Sequence, residues 1–131
     1  MASIFTKIIN GEIPALKVAE DSKFLAFLDI NPLAKGHTLV IPKIEVDYIF
    51  DLENEEFLGL HAFSKRVAIA LEKSVKCKRV GVIVIGTEVP HAHIHLVPFQ
   101  KEEQMSFSSN RPRISKEEMN TIAIQISENF I

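Results

Sequence analysis

Apolar and polar positions change period several times along the chain, and each change marks an element. "IFTKII" (4–9) has the spacing of a short amphipathic helix, stopped by the turn signals of "NGEIP" (10–14). "LKVAE" (16–20) and "KFLAFLDI" (23–30) flank an Asp21-Ser22 turn and predict paired strands. "NPLAKG" (31–36) is turn chemistry, and "HTLVIP" (37–42) is an apolar, β-branched strand ended by Pro42. From Asn54 to Ser74 the period becomes helical. Phe57, Leu60, His61, Ser64, Val67, Ala68 and Leu71 share a face, with glutamates early and Lys73 late, as the helix dipole favours. "RVGVIVIG" (79–86) and "HAHIHLVPF" (91–99) predict two more strands, and "QKEEQMSFSSNRPR" (100–113) a polar loop. Ser115 and Glu118 have capping-box spacing before a last helix, with Met119, Ile122, Ala123 and Ile126 facing inward. Several strands joined by short turns around one long helix predict a mostly antiparallel α+β fold, with 1–131 as one domain.

Composition narrows the class. A chain of 131 residues with 47% hydrophobic and 24% charged residues is ordinary for a globular protein. A net charge of −2 gives no electrostatic case for nucleic acid or an anionic membrane as partner. Cys77 is the only cysteine, which excludes an internal disulfide and suits a reducing cytoplasm. The opening "MASIFTKIINGEIP" is too interrupted for a signal peptide, and no stretch approaches the roughly 20 apolar residues of a membrane span.

Three of the five histidines fall in "HAHIH" (91–95). In a strand, residues two apart share a face about 6.7 Å apart. His91, His93 and His95 then line one side, and Ala92, Ile94 and Leu96 the other. Three readings compete. The histidines could bind a metal with a ligand from elsewhere, Glu88 being the nearby candidate. They could grip a phosphate, one ring acting as nucleophile. They could also be core residues hydrogen-bonded to one another. His37, which opens a strand directly after Gly36, is a fourth candidate for a site.

"PHAHIHLVP" resembles the signature of the histidine-triad family, and "IFTKIINGEIPALKVAEDSKFLAFLDINPLAKGHTLVIPK" (4–43) is similar to the N-terminal half of its nucleotide-binding members. The resemblance covers roughly residues 3–99. It implies a five-stranded antiparallel sheet with a long helix, a short N-terminal helix and a C-terminal helix, and a two-fold homodimer. It implies attack at the α-phosphorus of a nucleotide derivative, with His93 as nucleophile and a nucleotidyl-histidine intermediate freed by water. His37 and His95 would donate to phosphate oxygens, and His91 would orient its neighbours or relay protons. Ile4, Phe5, Ile8, Phe27, Leu28 and Ile30 correspond to the walls around the base, and Asp29 to the acceptor of the ribose hydroxyls. Read without the resemblance, Phe5, Phe27 and Ile30 are core and Asp29 is a turn-former.

The chain departs from the family pattern at three places. Relatives often hold structural zinc through a Cys-x-x-Cys pair, a later histidine and the first triad histidine. Here the other three positions are Ser3, Thr6 and Glu45, so no metal and no cofactor is expected. The loop before the triad is only "GTEVP" (86–90); Gly86 and Thr87 remain for close approach and a hydroxyl, while Glu88 would repel an anionic leaving group unless it points to solvent. The continuation "FQKEEQMSF" lacks the arginine of many relatives. The leading expectation is a nucleoside phosphoramidase or dinucleoside polyphosphate hydrolase. The alternatives are a nucleotide-binding regulatory module with little turnover and a metal-dependent enzyme. His61 is expected in the core or a dimer interface and Cys77 as an unreactive thiol; "NRPR" (110–113) could touch phosphates, though a solvated loop is the leading expectation.

Overall fold

The computed structural model describes residues 2–108 and 110–131. Five strands form one antiparallel sheet in the order β1-β2-β3-β5-β4. They are β1 (Lys17–Glu20), β2 (Phe24–Leu28), β3 (Thr38–Pro42), β4 (Arg79–Ile83) and β5 (Ile94–Phe99). Three α-helices accompany them: α1 (Ile4–Ile9), α2 (Asn54–Ser74) and α3 (Lys116–Asn129). No helix among the described residues is long and apolar enough to cross a membrane.

The sheet is covered on both faces, and strand alternation decides what each face meets. Phe24, Ala26 and Leu28 of β2, Val40 of β3, and Ile94 and Leu96 of β5 pack with Leu60, Phe63, Val67, Ala70 and Leu71 of α2 and Ile122 and Ile126 of α3. Leu25, Phe27, Leu39 and Ile41 face the other way and pack with Phe5 and Ile8 of α1. This explains why β2 is buried along its whole length. Ala92 joins the helix side, so the alternation read from the triad segment places the histidines opposite α2 and α3.

Several boundaries and contacts differ from the sequence expectation. Strand β4 ends at Ile83 rather than residue 86, and β5 begins at Ile94 rather than 91. The last pairs that β5 makes are Val40–Ile94 with β3 and Ile83–His95 with β4, although β3 itself continues to Pro42. Beyond them the Ala92 N–H turns to the Val46 carbonyl at 2.7 Å. In α2, Phe63 and Ala70 are buried, whereas His61 is exposed, stacked on Phe57 with ring centroids 4.5 Å apart. The capping box of α3 is only half formed. Ser115 Oγ accepts the Glu118 N–H, but the Glu118 carboxylate reaches Lys35 at 3.0 Å instead. Burial and the nearby Glu72 charge push the Cys77 thiol up, as suits an unreactive thiol.

The polar loop after β5 is also more than a loop. It contains a 3-10 turn at Glu102–Met105, and Met105 and Phe107 pack against buried Leu33, Ala34 and Val97. The turn before β3 is fixed by Gly36, whose φ of +90° suits glycine. A Cβ there would also lie 3.0 Å from Val75 and 3.2 Å from Pro98.

Candidate active site

A cavity of about 550 Å³ opens on the α1 side of the sheet. Ile4, Phe5 and Ile8 come from α1, and Phe27, Leu28, Asp29 and Ile30 from the end of β2 and the turn after it. Gly86, Thr87 and Glu88 of the loop after β4, together with His93 and His95, complete much of the wall. Every residue expected around a nucleotide therefore lines one space. Ile30 is 87% exposed, so it is a rim residue and not core. Glu88 is exposed and is also among the residues that line the cavity. Gly86, with φ +79° and nothing within 4 Å of a built Cβ, lets the short loop turn back toward the triad.

The four histidines fall into two layers. His93 and His95 touch the cavity, whereas His37 and His91 lie behind them, 1% and 0% exposed. Their hydrogen bonds fix where each proton sits. The Leu33 N–H donates to His37 Nδ1 at 2.9 Å, so the His37 proton is on Nε2 and is donated to His95 Nδ1 at 3.0 Å. That leaves the His95 N–H on Nε2, in a residue that lines the cavity. On the other branch, His93 Nδ1 donates to the His91 carbonyl at 2.8 Å, which leaves the lone pair on His93 Nε2. His91 donates from Nε2 to the Pro42 carbonyl at 2.8 Å and accepts at Nδ1 from the Ser3 hydroxyl at 2.9 Å. Among the described residues no buried side-chain nitrogen or oxygen lacks a partner, so none of these rings is stranded.

Burial holds His37 down to about 4 and His95 to about 3, with neighbouring cationic groups adding to the effect. Burial also lowers His91. These three rings are therefore neutral near pH 7. Asp29 is pushed the opposite way by burial, against its hydrogen bond from the Asn31 N–H at 2.8 Å. The turn-former reading of Asp29 thus describes one oxygen, Oδ1. The other, Oδ2, lies 3.6 Å from His37 Nε2. That contact is too long for a hydrogen bond, and with His37 neutral it is not an ion pair.

Two neighbours of the site come from the segment after β5, and of these Phe107 is not singled out by the sequence. Phe107 lines the cavity and sets its ring edge-on against His95, centroids 4.9 Å apart. Arg111 donates to the Asn31 carbonyl at 2.7 Å and the Phe107 carbonyl at 3.3 Å, tying the segment to the turn that carries Asp29. The residue pattern "NRPR" thus contains one anchored, half-buried arginine rather than a wholly solvated run.

This arrangement can present one bare imidazole nitrogen and one N–H to the same substrate atom group. The HIT domain family profile matches residues 10–102 of the chain. The adenosine 5'-monophosphoramidase of Schizosaccharomyces pombe is 37% identical over 130 residues, covering 97% of each chain. A HIT-like protein of Bartonella henselae, described as involved in cell-cycle regulation, has a similar structure with a TM-score of 0.84 at 29% identity, covering 98% of this chain and 96% of that one. A zinc-bound histidine triad family protein from Mycobacterium smegmatis gives 0.81 at 30% identity, covering 98% and 95%. The chain belongs to the HIT family.

The zinc of that last relative invites a test of the donors here. The positions at which the family resemblance implies zinc ligands hold two hydroxyls, an exposed carboxylate and His91. Thr6 Oγ1 donates to Glu45 at 2.5 Å and Ser3 Oγ to His91 Nδ1 at 2.9 Å, so these donors satisfy one another. Hydroxyls are weak ligands for zinc, and the set does not fit. The triad itself does not converge as a chelate, since His91 and His93 spend Nδ1 or Nε2 on main-chain carbonyls. Asp29, His37 and His95 do bring donor atoms within 4.8 Å of one another, but there the two rings share a proton that a cation would have to displace.

Proposed function

We propose that the protein is a nucleotide hydrolase, most specifically a nucleoside phosphoramidase, in which His93 attacks the α-phosphorus. The observation that carries this reading is the 2.8 Å bond from His93 Nδ1 to the His91 carbonyl, which leaves Nε2 unprotonated on the cavity wall. A bond forms between His93 Nε2 and phosphorus as the bond to the leaving group breaks. For a phosphoramidate, the electron pair goes to nitrogen, which departs as an amine after taking a proton from solvent. The ring then carries positive charge, and the His91 carbonyl faces its Nδ1–H. Water attacks phosphorus in the second step, returns the electron pair to Nε2 and releases the nucleoside monophosphate. His95 Nε2–H points a donor at the phosphoryl oxygens in both steps, backed by His37.

The apolar walls suit the base, and Asp29 at the cavity edge suits the ribose hydroxyls. Glu88 on the wall favours an amine over a second phosphate chain as leaving group, because its negative charge repels an anion. The phosphoramidase activity in the name of the Schizosaccharomyces pombe relative supports the same reading. A two-fold homodimer is part of the proposal. Strand β4 pairs only with β5, and its outer edge is flanked by Val82 and Ile85, which are 61% and 57% exposed. Light scattering that found only monomer would remove that part.

A panel of nucleoside phosphoramidates and dinucleoside polyphosphates, with wild type beside His93→Ala, tests the proposal. Release of nucleoside monophosphate by wild type alone supports it. Nucleotide binding by wild type without turnover would instead establish a binding module.

A further inference from the structure

A knot of polar groups outside the cavity has no part in the chemistry described so far. The Glu45 carboxylate, in the loop after β3, accepts the Ser3 N–H at 2.7 Å and the Thr6 hydroxyl at 2.5 Å through the same oxygen. Ser3 Oγ accepts the Thr6 N–H at 3.1 Å, which caps α1. Its own proton has two acceptors in reach, His91 Nδ1 at 2.9 Å and Thr6 Oγ1 at 3.3 Å, and the nearer is the ring nitrogen. His91 Nε2 is already donating to the Pro42 carbonyl, so His91 Nδ1 must accept, and Ser3 Oγ lies 2.9 Å from it. Ser3 is 5% exposed and His91 is fully buried, so loss of Ser3 leaves His91 Nδ1 with only the longer 3.4 Å contact to Thr6 Oγ1. The carbonyl of this same His91 holds the proton of His93.

We infer that Ser3, supported by Thr6 and Glu45, is a positioning residue that locks His91 and through its carbonyl keeps the bare nitrogen of His93 toward the substrate. The chain of contacts runs from an exposed carboxylate to the reacting imidazole without a gap. Were the His91 ring free to turn, its backbone would lose two anchors, and the His93 proton would be free to move to Nε2. A ring with its proton there cannot attack phosphorus. The inference rests on the proposed role of His93, and it makes a claim about kcat rather than substrate affinity.

A competing account assigns the knot only to docking of α1, which carries the cavity residues Ile4, Phe5 and Ile8. The two accounts separate in kinetics. Ser3→Ala should lower kcat for phosphoramidate hydrolysis by about three- to tenfold, the loss of roughly one buried hydrogen bond, with KM within about twofold. Nitrogen-15 spectra of the histidines should then show His93 partly protonated on Nε2. Ser3→Thr, which keeps a hydroxyl cap, should restore both readings. Glu45→Ala, at an exposed position, should move kcat the same way by a smaller factor, with circular dichroism checking that the fold is kept.

A rise in KM with kcat unchanged would assign the knot to α1 alone and overturn the inference. So would an unaltered His93 tautomer in Ser3→Ala. Zinc titrated into wild type should not bind stoichiometrically; one tightly held ion per chain that Ser3→Ala abolishes would replace the hydrogen-bond knot with a metal site. If wild type itself shows no turnover, the proposed function fails first, and the tautomer measurement still decides the positioning claim.

Discussion

The two histidine pairs of the cavity are made of the same side chain and held by opposite means. His91 and His93 are clamped by two main-chain carbonyls and a serine hydroxyl, with Phe5 edge-on to both rings at 5.9 and 5.1 Å. His37 and His95 bond to each other and are roofed by Phe107, which Arg111 ties down from a later part of the chain. In the first pair hydrogen bonds decide which nitrogen is bare. In the second, burial keeps both rings uncharged, so that a neutral N–H, not an imidazolium, is what the proposed chemistry would offer to a phosphate. One branch is poised to give electrons and the other to give a hydrogen bond.

Removing the electron donor should break the comparison most. His93→Ala should lower turnover by at least about a thousandfold while leaving the fold intact, since it deletes the imidazole nitrogen proposed to attack phosphorus. Circular dichroism and a single-turnover assay check both halves. Retained turnover would mean that another group attacks phosphorus. His95→Phe keeps the ring and deletes the donor, and should reduce kcat by about a hundredfold, the scale of one lost transition-state hydrogen bond.

Acid should act on the second branch. The folded protein holds His37 near 4 and His95 near 3, whereas both take up protons near 6.5 when unfolded. The unfolded chain therefore binds more protons below 6.5. Stability is complete above that pH and falls as pH drops toward the folded values. Urea unfolding at pH 7.5, 6 and 5 should show progressive loss, and His95→Phe should flatten the slope. An equal slope in the variant would show that other groups carry the acid sensitivity.

The roof should matter less than what it covers. Phe107→Ala should cost about tenfold in kcat/KM and let the His95 ring titrate closer to its ordinary range, followed by proton NMR against pH. Arg111→Gln removes one tether of that roof and should cost only about twofold to fivefold. A larger loss for Arg111→Gln than for Phe107→Ala would give the guanidinium a role beyond anchoring.

The sequence was most readable where alternation and period meet an apolar layer. The inward faces of β2, β5 and α3 follow directly from spacing, and the first branch sits in an unbroken run of five residues. His37 was visible because a glycine and a strand start mark its place. The roof was not, because Phe107 lies in a stretch with no period, between serines, and only the folded chain brings it over His95. The limits of β4 and β5 also escaped, since the apolar run continues past the last paired residues, Ile83 of β4 and Ile94 of β5. His61 carried the right spacing for burial, yet it is exposed in the single chain, while Phe63 and Ala70 join Leu60, Val67 and Leu71 in the core. A place for His61 in a dimer interface is untouched by this.

Leu33 N–H, Pro42 C=O and His91 C=O hold three of the four rings, and all are main-chain atoms. Such partners survive almost any replacement of the side chain that happens to sit above them, so the surrounding positions are free to drift over generations without flipping an imidazole. The contact from Ser3 is different, being written in a side chain, and it is there that inheritance has something to edit.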